Sequence, residues 1–181
     1  MRLFIAIELP NEIKQRLARM RIDIPGCRWV PSEQIHLTLA FLGEVDDAKL
    51  DLLTRVLATI NAPGFSLCFN NTGCFPDRRR PRVLWIGLKP EPLLDTLASQ
   101  VRKAVLACGI PQEDRPFSPH ITLARLKVPA PREAEAFLNR PLEQGMPVVD
   151  VREFTLFQSI LTSQGAVHNP LKVFDLVRSN V

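Results

Sequence analysis

The stretch His36-Leu37-Thr38-Leu39-Ala40 returns 84 residues later as His120-Ile121-Thr122-Leu123-Ala124, so two of the chain's three histidines stand in one repeated motif. At average residue usage such a repeat arises in roughly one chain per thousand, which makes coincidence a poor explanation. Both copies lie in runs rich in Ile, Leu, Thr and Phe without helical spacing, and such runs read as β-strands. Side chains on a strand alternate between its faces. His36, Thr38 and Ala40 are therefore expected on one face and Leu37, Leu39 and Phe41 on the other, with His120, Thr122 and Ala124 opposite Ile121 and Leu123. Each strand offers an imidazole beside a hydroxyl above an apolar underside.

Outward from these strands the chain alternates between the two regular periods. A strand is expected over residues 2–8, then a helix from Pro10-Asn11 with Ile13, Leu17 and Met20 at helical spacing. After the His36 strand, which Gly43 closes, a second helix is expected from Asp46 to Ile60, with acids suited to its N-terminus. Pro63-Gly64 leads into strands Phe65 to Phe75 and Val83 to Leu88, an antiparallel pair whose turn holds Arg78-Arg79-Arg80-Pro81-Arg82. An amphipathic helix from Pro92 to Cys108 stops at Gly109 before the His120 strand. A short helix from Pro131 to Leu138 and strands Val148 to Leu161 and Val167 to Val177, joined by Thr162-Ser163-Gln164-Gly165, complete the chain. This order predicts an α+β fold of two similar lobes, each contributing a sheet and a histidine strand, within one domain over residues 1–181.

Of the 181 residues, 46% are hydrophobic and 23% charged, which suits a folded domain and excludes disordered and fibrous classes. No run approaches the roughly 18 apolar residues of a membrane span, and the opening Met1-Arg2-Leu3-Phe4-Ile5-Ala6-Ile7-Glu8 reads as a strand rather than a signal peptide, so a cytoplasmic location is expected. Cys27, Cys68, Cys74 and Cys108 form no Cys-x-x-Cys pair and are expected as small core residues without disulfides. Neither Cys nor His shows zinc-ligand spacing, so the default mechanism uses no metal and no cofactor. The net charge of +4 is modest, yet its surplus gathers in the arginine turn, where a polyanion such as RNA would be held electrostatically.

Cleaving a phosphodiester near neutral pH needs one group to take a proton from the attacking oxygen and another to give one to the departing oxygen. With an ordinary pKa of about 6.5, histidine serves either end. A single histidine in an apolar strand is more often a satisfied core residue, but two identical polar faces in one chain are easier to understand around a ligand. Thr38 and Thr122 lack an activating base and are read as phosphate-binding hydroxyls, leaving water as the attacking species. Arg125 is the nearest cation for the developing phosphate charge, although strict alternation turns it away from His120. Arg115 is a weaker candidate. Phe4 and Phe41 are candidates for an aromatic wall against a base, and His168, without a repeat partner, is expected at the periphery.

The ordered set Arg2-Leu3-Phe4-Ile5-Ala6-Ile7, His36 to Gly43, Arg82-Val83-Leu84-Trp85-Ile86-Gly87-Leu88 and Arg115-Pro116-Phe117-Ser118-Pro119-His120 to Arg125 resembles the two-histidine phosphoesterase superfamily. Within it, the chain is similar to the RNA 2′,3′-cyclic phosphodiesterases earlier described as 2′-5′ RNA ligases. The resemblance implies a bilobal fold with pseudo-twofold symmetry and both His-x-Thr motifs facing a central cleft. It implies that His36 donates the proton to the leaving 3′ oxygen and His120 activates water, giving a 2′-phosphate end. The family commonly has tyrosine in its C-terminal Gly-x-x-Tyr segment, where this chain has His168. The expected substrate is RNA with a 2′,3′-cyclic phosphate end, tRNA fragments included, acted on by a monomer. Joining of ends through a 2′-5′ linkage, or binding of RNA ends without chemistry, would use the same residues.

Overall fold

The computed structural model describes residues 1–142, 145–163 and 165–177. Its elements run β1 (Arg2–Glu8), α1 (Asn11–Ala18), β2 (Cys27–Trp29), β3 (His36–Glu44), α2 (Leu50–Leu57), β4 (Phe65–Leu67), β5 (Phe69–Phe75) and β6 (Val83–Leu88). The second part holds α3 (Pro92–Ala107), β7 (His120–Leu126), α4 (Pro131–Leu138), β8 (Val149–Val151), β9 (Glu153–Thr162) and β10 (Gly165–Asp175). Two antiparallel four-stranded sheets, ordered β10-β9-β1-β3 and β2-β7-β6-β5, form the lobes, and β4 pairs with β8 in a separate ribbon. The α+β architecture and its internal repeat are as the sequence predicts. β1-α1-β3 in one lobe corresponds to β6-α3-β7 in the other, each a histidine strand lying antiparallel to a strand before the helix.

Hydrophobic spacing explains why these segments hold. In α3, Leu94, Leu97, Ala98, Val101, Ala104 and Val105 form one buried stripe. Pro92 opens that helix, the Glu91 carboxylate accepts the Leu93 N–H at 3.0 Å, and Gly109 leaves it at φ +66°. Leu37 and Leu39 beneath β3 and Ile121 and Leu123 beneath β7 belong to one continuous apolar core. Each such leucine, fully buried, contributes about 1.5–3 kcal/mol. A second, smaller cluster of Phe4, Ala6 and Phe157 lies on the other face of β1.

Several boundaries differ from the sequence reading. The single strand expected over Phe65 to Phe75 breaks at Cys68, because β4 pairs with β8 while β5 pairs with β6. The strand expected from Val148 breaks at Arg152 for the same reason. β3 runs one residue past Gly43, α2 begins at Leu50 after a single 3₁₀ turn, and β10 spans Gly165–Asp175 rather than 167–177. Gln164, in the expected β9–β10 turn, lies outside the described residues. β2 was not foreseen: the chain between α1 and β3 lends three residues to the opposite lobe, where they pair with the end of β7. Cys108 is buried, whereas Cys27, Cys68 and Cys74 are only half-buried, and all four are free thiols. No helix among the described residues is long and apolar enough to cross a membrane.

Candidate active site

The two histidine strands lie beside one another where the lobes meet. Each imidazole is fixed in the same way. His36 Nδ1 lies 2.6 Å from the carbonyl oxygen of Gln34, and His120 Nδ1 lies 2.7 Å from that of Ser118. A carbonyl only accepts, so each Nδ1 carries the hydrogen and each Nε2 presents a lone pair for proton transfer. The carbonyls come from the 3₁₀ turn Ser32–Gln34 and from the Phe117-Ser118-Pro119 approach to β7. Thr38 and Thr122 follow on the same faces as their histidines, half-buried, and among the described residues their hydroxyls have no protein partner.

Cross-strand register corrects the expected alternation further along. Ile5 opposes Ala40 and Ala6 opposes Thr38, leaving Leu39 as an extra residue in β3. Leu84 opposes Ala124 and Trp85 opposes Thr122, leaving Leu123 extra in β7 at the same place in the motif. A bulge shifts the phase of the strand by one residue. Ala40 and Ala124, expected beside the histidines, therefore turn into the core and are buried. Phe41 and Arg125, expected to face away, turn to the histidine side, where Phe41 opposes Phe4 and Arg125 opposes Val83. The Arg125 guanidinium depresses the pKa of both His36 and His120, and it is the one cation common to the two.

The walls beside the two imidazoles are unlike. Phe4 stacks on His36 with ring centroids 4.9 Å apart, Phe157 stacks on Phe4 at 5.0 Å, and Phe41 closes in at 6.3 Å. His168, expected at the periphery, belongs here instead: its ring meets Phe4 edge-on at 4.8 Å and His36 at 5.5 Å. The pairing of β10 with β9, and of β9 with β1, carries it there. His120 is flanked by Phe75 at 4.9 Å and Trp85 at 6.2 Å. Trp85 lies across Gly73, where a Cβ would collide with the indole. Arg115 is exposed and paired with Glu113.

Burial is the main influence on both candidate bases. It pushes His36 down to about 4, helped by the charges of His168, Lys14 and Arg125 and opposed by the Gln34 carbonyl. His120 is lowered by burial and by Arg125, against the Ser118 carbonyl. Lys14 is buried against Glu8, the residue opposite His36 on β1. Without an anion, both imidazoles are therefore biased toward the neutral form. No group of three or more His, Cys, Asp or Glu among the described residues is gathered as metal ligands. A surface hollow of about 530 Å³ beside Gly26, Val128 and Arg132 contains neither histidine.

Two anchored imidazoles, two hydroxyls and a guanidinium on adjoining strands are the equipment of a phosphoesterase. The family of LigT-like phosphoesterases matches residues 7–85 and again 86–168, and the chain belongs to that family. An RNA 2′,3′-cyclic phosphodiesterase of Archaeoglobus fulgidus is 33% identical over 97% of this chain and 100% of its own length. The Escherichia coli enzyme of the same name is 35% identical over 98% and 97%. The crystal structure of E. coli LigT complexed with 3′-AMP superposes with a TM-score of 0.84 at 35% identity, covering 97% of each chain.

Proposed function

We propose that this chain hydrolyses RNA 2′,3′-cyclic phosphate ends to 2′-phosphate ends, with His120 as general base and His36 as general acid. The observation that carries the reading is the pair of imidazoles, each held through Nδ1 so that Nε2 is free, with Arg125 electrostatically close to both. His120 Nε2 takes a proton from water as the water oxygen attacks phosphorus. The bond from phosphorus to the 3′ oxygen breaks, and that oxygen takes its proton from His36 Nε2. Thr38, Thr122 and Arg125 donate to the non-bridging oxygens as charge builds on them. Burial is the main reason the free His36 imidazole is neutral, with Lys14, Arg125 and His168 adding to it; a bound phosphate anion counters those charges and so raises its affinity for a proton.

The whole chain, residues 1–181, is taken as one two-histidine phosphoesterase domain, because the apolar core is continuous between the lobes. It acts as a monomer in the cytoplasm, where free thiols such as its four cysteines persist, and tRNA fragments with cyclic ends are among its substrates. The test is incubation of a cyclic-phosphate-ended RNA with wild type, His36→Ala and His120→Ala in the presence of a chelator. The expected result is a 2′-phosphate from the wild type and losses of about 10²–10⁴-fold in each variant. Unchanged substrate with tight binding would replace hydrolysis by end recognition, and a 2′-5′-joined product from added 5′-hydroxyl RNA would replace it by ligation.

A further inference from the structure

The ends of the two histidine strands differ in charge. β3 runs out through Glu44 to Asp46 and Asp47, with the Met1 ammonium 3.5 Å from Glu44 and 3.6 Å from Asp47 and Arg2 opposite Glu44 on β1. β7 runs out through Arg125, five residues beyond His120, and on to Lys127. Arg28 of β2 opposes Arg125, and the Arg82 guanidinium donates to the Lys127 carbonyl. The same end holds the β5–β6 turn with its arginines. That turn is built rather than loose. The Arg82 N–H donates to the Phe75 carbonyl at 2.8 Å, and Asp77 Oδ1 accepts the N–H groups of Arg79 and Arg80 at 2.8 and 3.0 Å.

These bonds spend the turn's own carboxylate on backbone. Arg78 is tied to Asn139 Oδ1 at 3.3 Å, while Arg79 and Arg80 are exposed and, among the described residues, unpaired with any carboxylate. The turn also starts at the active site, since Phe75 is the residue whose ring meets His120. Cations therefore continue from the His120 face, through Arg125, to the turn, whereas the corresponding end of the first lobe mixes carboxylates with Arg2 and the Met1 ammonium. A polyanion is drawn to the side of the turn.

We propose that the β5–β6 turn, through Arg79 and Arg80, binds the phosphodiesters that lie 5′ of the reacting end, so that the chain selects oligonucleotides over nucleoside 2′,3′-cyclic phosphates. The proposal rests on the function given above, because in an RNA with a cyclic end every other phosphate lies on the 5′ side. Arg79→Ser/Arg80→Ser leaves the backbone bonds to Asp77 in place.

The test compares that double variant with wild type on a nucleoside 2′,3′-cyclic phosphate and on a short oligonucleotide ending in the same nucleotide, across a salt series. Wild type is expected to favour the oligonucleotide in kcat/KM at low salt and to lose that advantage as salt rises. The double variant should lose about tenfold on the oligonucleotide while keeping its rate on the mononucleotide. Binding of an oligonucleotide that already ends in a 2′-phosphate gives a readout without turnover. Its slope of log Kd against log salt should fall by about 1.4, at 0.7 for each of two lost contacts to a single strand. Equal behaviour of variant and wild type in both rate and slope would overturn the proposal. If wild type turns over neither substrate, the hydrolase reading fails, and the binding slope still decides whether the turn holds RNA.

Discussion

His36 and His120 share a strand motif, a carbonyl anchor and an adjoining threonine, yet the fifth residue after each differs: Phe41 beside the first, Arg125 beside the second. Matching bulges bring both to the histidine face, so the backbone is duplicated while the side chains diverge. The comparison teaches which parts of the chemistry need two copies. Proton transfer has two ends and calls for two imidazoles of interchangeable geometry. In the proposed reaction charge builds on one phosphate, and a single guanidinium, Arg125, is placed to answer it. The surroundings diverge likewise, with Phe4, Phe157 and His168 on one side and Phe75 and Trp85 on the other.

Making the two sides alike should cost most where the charge is lost. Arg125→Phe, which copies the first lobe's residue into the second, should lower kcat by about 10²–10³-fold, whereas Arg125→Lys keeps the charge without the fork and should lose less. Steady-state kinetics on a cyclic-phosphate-ended RNA measures both. Next in size is Gly73→Ala, whose methyl must displace the Trp85 indole that helps wall His120. A drop of about tenfold in kcat is expected, together with a stability loss of about 1–3 kcal/mol read from denaturant melts.

The pH dependence sharpens the comparison further. Burial lowers both histidines below the ordinary value, His36 to about 4, so the state with one imidazole protonated and the other neutral is most populated in the free protein on the acid side of neutrality. The bell of kcat/KM, which reports the free protein, should be centred below pH 6.5. The bell of kcat should lie higher, because a bound phosphate anion favours the imidazolium. The smallest effect is expected from His168→Tyr. Removing a positive neighbour raises His36, so the acid limb of kcat/KM should move upward while the maximal rate changes by less than about threefold.

The sequence made the histidine pair visible because duplication is itself a signal, and the lobe architecture followed from periodicity in α1, α3 and the strands around them. The phase of each histidine strand beyond its bulge was not visible. A bulge is a relation between two strands, and Leu39 and Leu123 look like ordinary members of an alternating run until Ala6 and Trp85 are set opposite their neighbours. For the same reason Phe41 and Arg125 read as facing away. His168 was hidden by distance along the chain, since two successive strand pairings carry it to His36. The Gln34 and Ser118 carbonyls leave no trace in residue identity, because any residue supplies one. β2 has only three residues, too few for a period, and it pairs in the lobe opposite to its neighbours in sequence.

The division of labour between the two imidazoles is the central claim, and a substrate with sulfur in place of the bridging 3′ oxygen tests it most directly. A thiolate departs without protonation, so the general acid becomes dispensable and the general base does not. His36→Ala should recover most of the wild-type rate on this substrate while His120→Ala remains inactive. Rescue of His120→Ala alone, or of neither variant, would contradict the assignment of His36 as the proton donor.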